Sequence, residues 1–113
     1  MRRGFVPERG DVVWLSFSPQ RGREQAGRRP ALVLSPRPYN ERVGLALVCS
    51  ITSRIKGYPF EVRVGNGGRV AGAILVDHVR SVDWRARQAE LAERASPEVL
   101  DEVVARLRPL IGA

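Results

Sequence analysis

The sequence is poor in the residues that most enzymes use for metal binding and covalent catalysis. Its 113 residues include one cysteine, Cys49, and one histidine, His78. A single cysteine excludes an internal disulfide, and this pair lacks the spacing of a usual zinc site. No apolar run approaches the ~18 residues of a membrane span or signal peptide core. We therefore expect no metal or other cofactor, no membrane contact, and a location in the reducing cytoplasm.

Lysine is also scarce, although the chain is basic. All but one of the 19 basic residues, Lys56, are arginine, and the formal net charge is +7. Residues 1–89 carry 16 basic and 7 acidic groups, whereas residues 90–113 carry 3 and 5. Arginine binds phosphate through two hydrogen bonds, so the positive charge in the body of the chain favours a polyanionic partner. The codon usage of a GC-rich genome is the alternative explanation for the arginine excess.

Apolar periodicity predicts strands along most of the chain. The predicted strands span residues 12–17, 31–35, 44–52, 60–64, 72–76 and 79–84. Continuous apolar runs at 31–35 and 44–52 indicate central strands, and the alternating run at 60–64 indicates a half-buried one. The glycines of 65–68 predict a hairpin turn, because the segment lacks the Gly-Lys-Ser/Thr ending of a phosphate-binding loop.

The end of the chain changes to helical periodicity. Ser96 is a helix N-cap, Pro97 suits the first helical position, and Glu98 places a carboxylate in the positive first turn. The apolar stripe that follows contains Leu100, Val103, Val104, Leu107 and Ile111. Pro109 is expected to disturb the last turn. We predict a mainly β fold, a small barrel of five to seven short strands with a C-terminal α-helix.

Residues 1–113 are expected to form a single domain. A chain of 113 residues supports only one modest core. A homodimer is plausible from size alone, because small proteins gain burial by pairing.

Several blocks of the sequence closely resemble the toxins of the MazF/PemK family. They are residues 10–14 (GDVVW), 24–36 (EQAGRRPALVLSP), 56–62 (KGYPFEV) and 76–87 (VDHVRSVDWRAR). The blocks follow the order of the family, and the resemblance extends from about Val6 to Ile111. It implies an SH3-like barrel of the CcdB/PemK type, a symmetric dimer, and inhibition by a cognate, MazE-like antitoxin with an acidic, disordered segment.

The resemblance also implies an activity and catalytic residues. Arg29, in the Arg-Pro pair of the second block, and Thr52, in the further run ITS at 51–53, match the positions to which the family assigns catalysis. Glu24 matches an acidic residue near the site. The family cleaves single-stranded RNA, mainly mRNA, at short sequences without a metal. The ribose 2′-hydroxyl attacks the adjacent phosphate and leaves 2′,3′-cyclic phosphate and 5′-hydroxyl ends.

The identity of the general base is open at this point. A guanidinium stays protonated at neutral pH, so Arg29 is suited to stabilising negative charge and is a poor proton acceptor. Glu24 is the physical candidate for the base, and His78 is the alternative.

The remaining positive groups and one exposed aromatic residue are candidates for binding RNA. The predicted RNA-binding residues are Arg23, Arg28, Arg54, Lys56, Tyr58, Arg80, Arg85 and Arg87. The basic residues would contact phosphates, and Tyr58 would stack on an unpaired base. Trp14 and Trp84 are expected in the core.

Two other classes of function are compatible with a barrel of this kind. One is a toxin of the CcdB type, which poisons gyrase by binding and cleaves nothing. The other is an RNA-binding module without catalysis, which binds through counterion release and leaves RNA intact. Arg29 and Thr52 in the matching motifs favour the nuclease.

Overall fold

In the computed structural model, six strands and two helices occupy the described residues, which are 4–17, 27–65 and 68–113. The strands are β1 (Asp11–Ser16), β2 (Arg28–Val33), β3 (Ala46–Thr52), β4 (Glu61–Val64), β5 (Gly72–Val82) and β6 (Glu90–Arg94). The helices are α1 (Arg37–Val43) and α2 (Pro97–Ile111). Every strand pair is antiparallel, and the order across the sheet is β4-β5-β3-β2-β1-β6. β2 and β3 are therefore central, as their apolar runs predict.

The two faces of the sheet pack into separate apolar clusters, because successive residues of a strand point to opposite faces. Val12 of β1 belongs to a cluster that includes Cys49 and Val103 of α2. Its neighbour Val13 belongs to the second cluster, which includes Trp84. The curled sheet and its terminal helix confirm the predicted mainly β fold class.

The two edges of the sheet, β4 and β6, meet through a side chain. Glu93 of β6 accepts hydrogen bonds from the backbone N–H groups of Arg69 and Val70, which lie between β4 and β5. The carboxylate thus joins the β4–β5 hairpin to the opposite edge and helps to close the sheet.

β5 corrects one part of the predicted strand pattern. Residues 72–76 and 79–84 were expected as two strands, but 72–82 form one strand of 11 residues. The register shifts inside it, since Cys49 pairs with Val79 whereas Ile51 pairs with Ile74. β5 therefore bulges at residues 75–78, and this irregularity explains why the apolar pattern is interrupted there.

α1 and β6 are absent from the sequence prediction. Pro36 and Pro38 do end the preceding strand, but they also begin α1, in which Asn40 is fully buried. The Asn40 amide donates to the carbonyl oxygens of Pro7 and Ser35 at 2.9 and 3.0 Å. β6 contains three charged residues among five, which hides its strand pattern.

α2 begins as predicted and contains the whole predicted apolar stripe to Ile111. Val99 N donates to the Ser96 hydroxyl at 3.2 Å, which confirms the N-cap. The helix continues past Pro109 to Ile111, so the expected disturbance does not end it. No helix in the described part of the chain is long and apolar enough to cross a membrane.

Candidate active site

Strand register brings the two predicted catalytic residues together. Ala31 of β2 pairs with Ser50 of β3. Arg29 lies two residues before Ala31 and Thr52 two residues after Ser50, so both lie just beyond the end of this pairing, at the same end of the two strands. Both side chains line the same cleft, which has a volume of about 680 Å³.

Gly72 determines how closely β5 approaches Thr52. Gly72 has a φ of +146°, and a Cβ at this position would lie 2.1 Å from the Thr52 carbonyl oxygen. A larger residue would therefore displace the end of β3. The Thr52 hydroxyl accepts a hydrogen bond from Arg54 N at 3.1 Å, which leaves its own proton available to donate to a ligand.

The cleft is strongly basic. Arg29, Arg54, Arg69 and Arg80 line it together with His78. No carboxylate among the described residues contributes to its lining. Apolar side chains, among them Trp14, Leu15 and Phe17, form the rest of the wall. We call this site the arginine cleft, and its composition suits an anion held against a partly apolar surface.

Phe17 lies between two predicted RNA-binding residues at the rim of the arginine cleft. The guanidinium carbons of Arg80 and Arg87 are 5.5 and 4.7 Å from the centroid of its ring. Phe17 also lines a neighbouring cavity to which Arg87 belongs. Arg87 therefore adjoins the arginine cleft without lining it.

Arg28 has several partners within the chain. Its guanidinium donates to the Ser16 hydroxyl at 2.5 Å, to the Arg87 carbonyl oxygen at 3.4 Å and to Glu90 at 2.8 Å. Arg87 in turn donates to the Ser16 carbonyl oxygen at 3.3 Å. We call these four residues the rim clamp. Since Ser16 ends β1 and Arg28 begins β2, the rim clamp holds the two ends of the β1–β2 connection.

The Glu61 carboxylate holds the loop between β3 and β4, residues 53–60, through hydrogen bonds from the loop backbone. This carboxylate is only 8% exposed and accepts from the backbone N–H groups of Lys56 and Gly57, with a shortest distance of 2.8 Å. Arg106 of α2 donates to the Pro59 carbonyl oxygen. The loop carries Tyr58, which is 49% exposed as predicted.

Comparison with known proteins identifies the family of this fold and site. A family model described as PemK-like, MazF-like toxins of type II toxin–antitoxin systems matches residues 8–111. The chain belongs to this family. The predicted family is confirmed.

Named relatives and solved structures agree with this assignment. The chain is 46% identical over 108 residues to the endoribonuclease toxin MazF of Escherichia coli K12, covering 96% of each protein. A MazE–MazF complex from Deinococcus radiodurans contains a chain that is 54% identical, with a TM-score of 0.91 and coverage of 96% of this chain and 97% of that one. MazF from the same organism gives 53% identity, a TM-score of 0.86 and coverages of 96% and 99%. The predicted enzyme class, endoribonuclease, is confirmed by the names of these relatives.

Most of the MazF/PemK site residues predicted from the sequence fall into three groups in the structure. Arg29, Thr52, Arg54, His78 and Arg80 line the arginine cleft. Arg28 and Arg87 lie in the rim clamp, and Lys56 and Tyr58 lie in the 53–60 loop, where the Lys56 ammonium is 5.9 Å from the Tyr58 ring centroid.

The remaining predicted residues lie elsewhere or cannot be placed. Arg85 stacks on Trp84, with its guanidinium carbon 4.2 Å from the ring centroid, and approaches Gly44. Arg23 and Glu24 lie outside the described residues. Trp84 is buried as expected, whereas Trp14 is partly buried and also lines the arginine cleft.

Arg69 is a residue of the MazF/PemK cleft that sequence reasoning missed. It follows the glycines between β4 and β5, and these indicate only a turn, so nothing in the local pattern points to a function for Arg69. Its positive charge within that turn was the available signal. Within the described residues, no group of three or more His, Cys, Asp or Glu side chains is arranged to hold a metal ion.

Proposed function

We propose that this MazF/PemK protein is a sequence-specific, metal-independent endoribonuclease that cuts single-stranded RNA. The observation that carries the proposal is that Arg29 and Thr52 line one cleft, which has four arginines in its lining. Residues 1–113 would act as one toxin domain.

The chemistry is an in-line displacement at phosphorus. The ribose 2′-oxygen forms a bond to the adjacent phosphorus, its proton passes to a base, and the bond to the 5′-oxygen breaks. The departing 5′-oxygen takes up a proton, and the products carry 2′,3′-cyclic phosphate and 5′-hydroxyl ends. Arg29 and the Thr52 hydroxyl donate to the phosphate oxygens on which charge develops, which contributes several kcal/mol, on the order of 3 for one good donor.

We propose Glu24 as the general base and His78 as the alternative. A carboxylate or an imidazole accepts a proton at neutral pH, whereas a guanidinium does not. His78 lines the arginine cleft and is exposed. Glu24 lies outside the described residues, and the sequence resemblance together with the basicity of a carboxylate supports its role.

RNA binding is assigned to the surrounding positive residues. Arg54 and Arg80 in the arginine cleft would bind phosphates, and Tyr58 would stack on a base beside Lys56. We extend the phosphate-binding role to Arg23 and Arg85. Arg28 and Arg87 contribute to RNA binding only if they share or exchange their bonds in the rim clamp.

We further propose a dimer and an antitoxin for this chain in the cytoplasm. The solved MazE–MazF complexes from Deinococcus radiodurans support an antitoxin partner by likeness. An acidic, disordered segment that folds along the arginine cleft would neutralise its charge and cover Arg29 and Thr52.

The test is cleavage of a long single-stranded RNA by the purified protein in EDTA, beside an Arg29→Ala variant. We expect discrete cuts with cyclic phosphate ends that are absent with the variant. Size-exclusion chromatography should show that both proteins are dimers. Intact RNA across varied sequences would contradict the nuclease, and gyrase inhibition or salt-sensitive RNA binding alone would then indicate the CcdB-type or RNA-binding alternative.

A further inference from the structure

Arg69 enters the arginine cleft from a different part of the fold than the predicted residues do. Arg29 belongs to β2 and Arg80 to β5, whereas Arg69 lies in the connection between β4 and β5. It is exposed, and it lines the same cleft.

Glu93 fixes the backbone that carries Arg69. The carboxylate accepts from Arg69 N at 2.7 Å and from Val70 N at 3.3 Å. A Cβ on Gly68 would lie 2.7 Å from the Glu93 carboxylate, so this close approach depends on glycine. Val70, the next residue in the chain, is 3% exposed and packs in the apolar core, which holds the C-terminal side of Arg69 in place. Hydrogen bonds from amides to a carboxylate are stronger than neutral ones, and a turn held this way presents its side chain from a fixed base.

The Arg69 guanidinium retains donors for a ligand. It has five N–H groups, and its recorded bond joins Nη1 to the Ala92 carbonyl oxygen at 3.3 Å. Among the described residues, no carboxylate forms a salt bridge with Arg69. Four arginines sharing one cleft repel one another, and a phosphate bound among them relieves that repulsion.

We propose that Arg69 binds a backbone phosphate of the RNA in the arginine cleft, and that Glu93 positions it. The inference rests on the proposed function, since it takes RNA as the ligand. It adds a phosphate contact from the β4–β5 hairpin, opposite the β1–β2 side of the site.

The first experiment measures binding of a mixed-sequence 2′-O-methyl RNA oligonucleotide, which cannot be cut because the attacking hydroxyl is blocked. Arg69→Ala is expected to weaken binding ~10-fold at low salt and to reduce the slope of log affinity against log salt by about 1. Arg63→Ala is the matched control, because it removes the same charge from β4 outside the arginine cleft. We expect the control to bind like the wild type.

Cleavage kinetics supply the second readout. With Arg69→Ala, KM should rise ~10-fold and kcat should stay within about 2-fold, because the contact holds a phosphate in ground and transition states alike. Arg69→Gln keeps the three side-chain carbons of arginine and a shorter, uncharged polar end, and it should behave like Arg69→Ala. Thermal unfolding of both variants checks that the fold is intact.

A double-mutant cycle tests the role of Glu93. Glu93→Gln replaces one carboxylate oxygen with an amide NH₂ group, so one of the hydrogen bonds from Arg69 N or Val70 N is lost. RNA binding should weaken ~3-fold, because a hydrogen bond to a charged group is lost. In the Arg69→Ala background the same change should have no further effect on binding, since Glu93 acts through Arg69.

Two results would overturn the proposal. One is equal affinity and salt dependence of Arg63→Ala and both Arg69 variants, with all three folded. The other is an undiminished effect of Glu93→Gln when Arg69 is absent. A wild-type protein that binds the oligonucleotide but cuts no RNA would contradict the proposed function instead, and the binding comparison would still decide the role of Arg69.

Discussion

The arginine cleft and the rim clamp are both rich in arginine, and they differ in what their guanidinium groups contact. Arg28 in the rim clamp bonds to Ser16, the Arg87 carbonyl and Glu90. In the arginine cleft, no described carboxylate pairs with Arg29 or Arg54. In a chain with this many arginines, the partners of each side chain separate residues that hold the fold from residues open to an anion.

The largest expected effect is that of Arg29→Ala compared with Arg87→Ala. Loss of Arg29 removes a donor to the developing charge, so kcat should fall ~10³-fold. Loss of Arg87 should lower kcat less than ~10-fold, because this residue adjoins the cleft through Phe17. Single-turnover cleavage of an RNA with a mapped site measures both rates. An equal fall in kcat in the two variants would show that the arginine cleft and the rim clamp do not differ in this way.

Thr52→Val tests the second donor of the arginine cleft. Valine has nearly the same shape but no hydroxyl, so kcat should fall ~10²-fold with little change in KM. Thr52→Ser keeps the hydroxyl and should retain most of the activity. The same cleavage assay applies, and a Val variant as active as the Ser variant would exclude a chemical role for the hydroxyl.

Arg28→Ala should affect stability more than RNA binding. The loss of its bonds should lower the free energy of unfolding by about 1 kcal/mol, with the Glu90 pair discounted for solvent exposure. Urea unfolding measures this change. Arg54→Ala should instead leave stability nearly unchanged.

The salt dependence of RNA binding completes the comparison of Arg28 and Arg54. We expect Arg54→Ala to reduce the salt slope by about 1 and Arg28→Ala to leave it unchanged. A reduced slope for Arg28→Ala would show that the rim clamp opens to bind phosphate.

The smallest effect concerns Cys49, which lies beneath the sheet face packed by α2. Burial, with a smaller contribution from the Asp77 carboxylate, raises the pKa of the Cys49 thiol to about 12. Iodoacetamide should therefore label the native protein very slowly at pH 8 and the urea-unfolded protein rapidly. The folded pKa exceeds the ordinary thiol value of 9.0, so stability from this thiol is present below pH 9 and is lost as the pH rises towards 12. Rapid native labelling at pH 8 would contradict the burial.

The sequence predicted the parts of the fold that depend on local pattern. The apolar runs of β2 and β3 and the Ser96 cap of α2 are strong local signals, and the structure confirms them. β6 was not predicted because its charged residues obscure the alternation of apolar and polar residues. α1 was not predicted because Pro36 and Pro38 were read as the end of a strand and not as the start of a helix.

The candidate site was predictable to the extent that family motifs covered it. Arg29 and Thr52 were matched by motif, whereas their meeting in one cleft depends on the pairing of β2 with β3. Arg69 had no motif, and its place in the arginine cleft depends on the Glu93 contact across the sheet edges. Contacts between residues distant in the chain are not encoded in local periodicity.

Two carboxylates, Glu61 and Glu93, each hold a loop by accepting hydrogen bonds from its backbone. Glu61 and Glu93 hold their loops through the backbone N–H groups of residues 56, 57, 69 and 70. Every residue except proline offers the same N–H group. At the exposed positions 56 and 69 the side chain can therefore change without loss of these hydrogen bonds, whereas Gly57 has a φ of +83° and Val70 is buried. If these loops contact RNA as proposed, new side chains at positions 56 and 69 would change the contacts on an unchanged loop path, and proline there would remove the N–H donor.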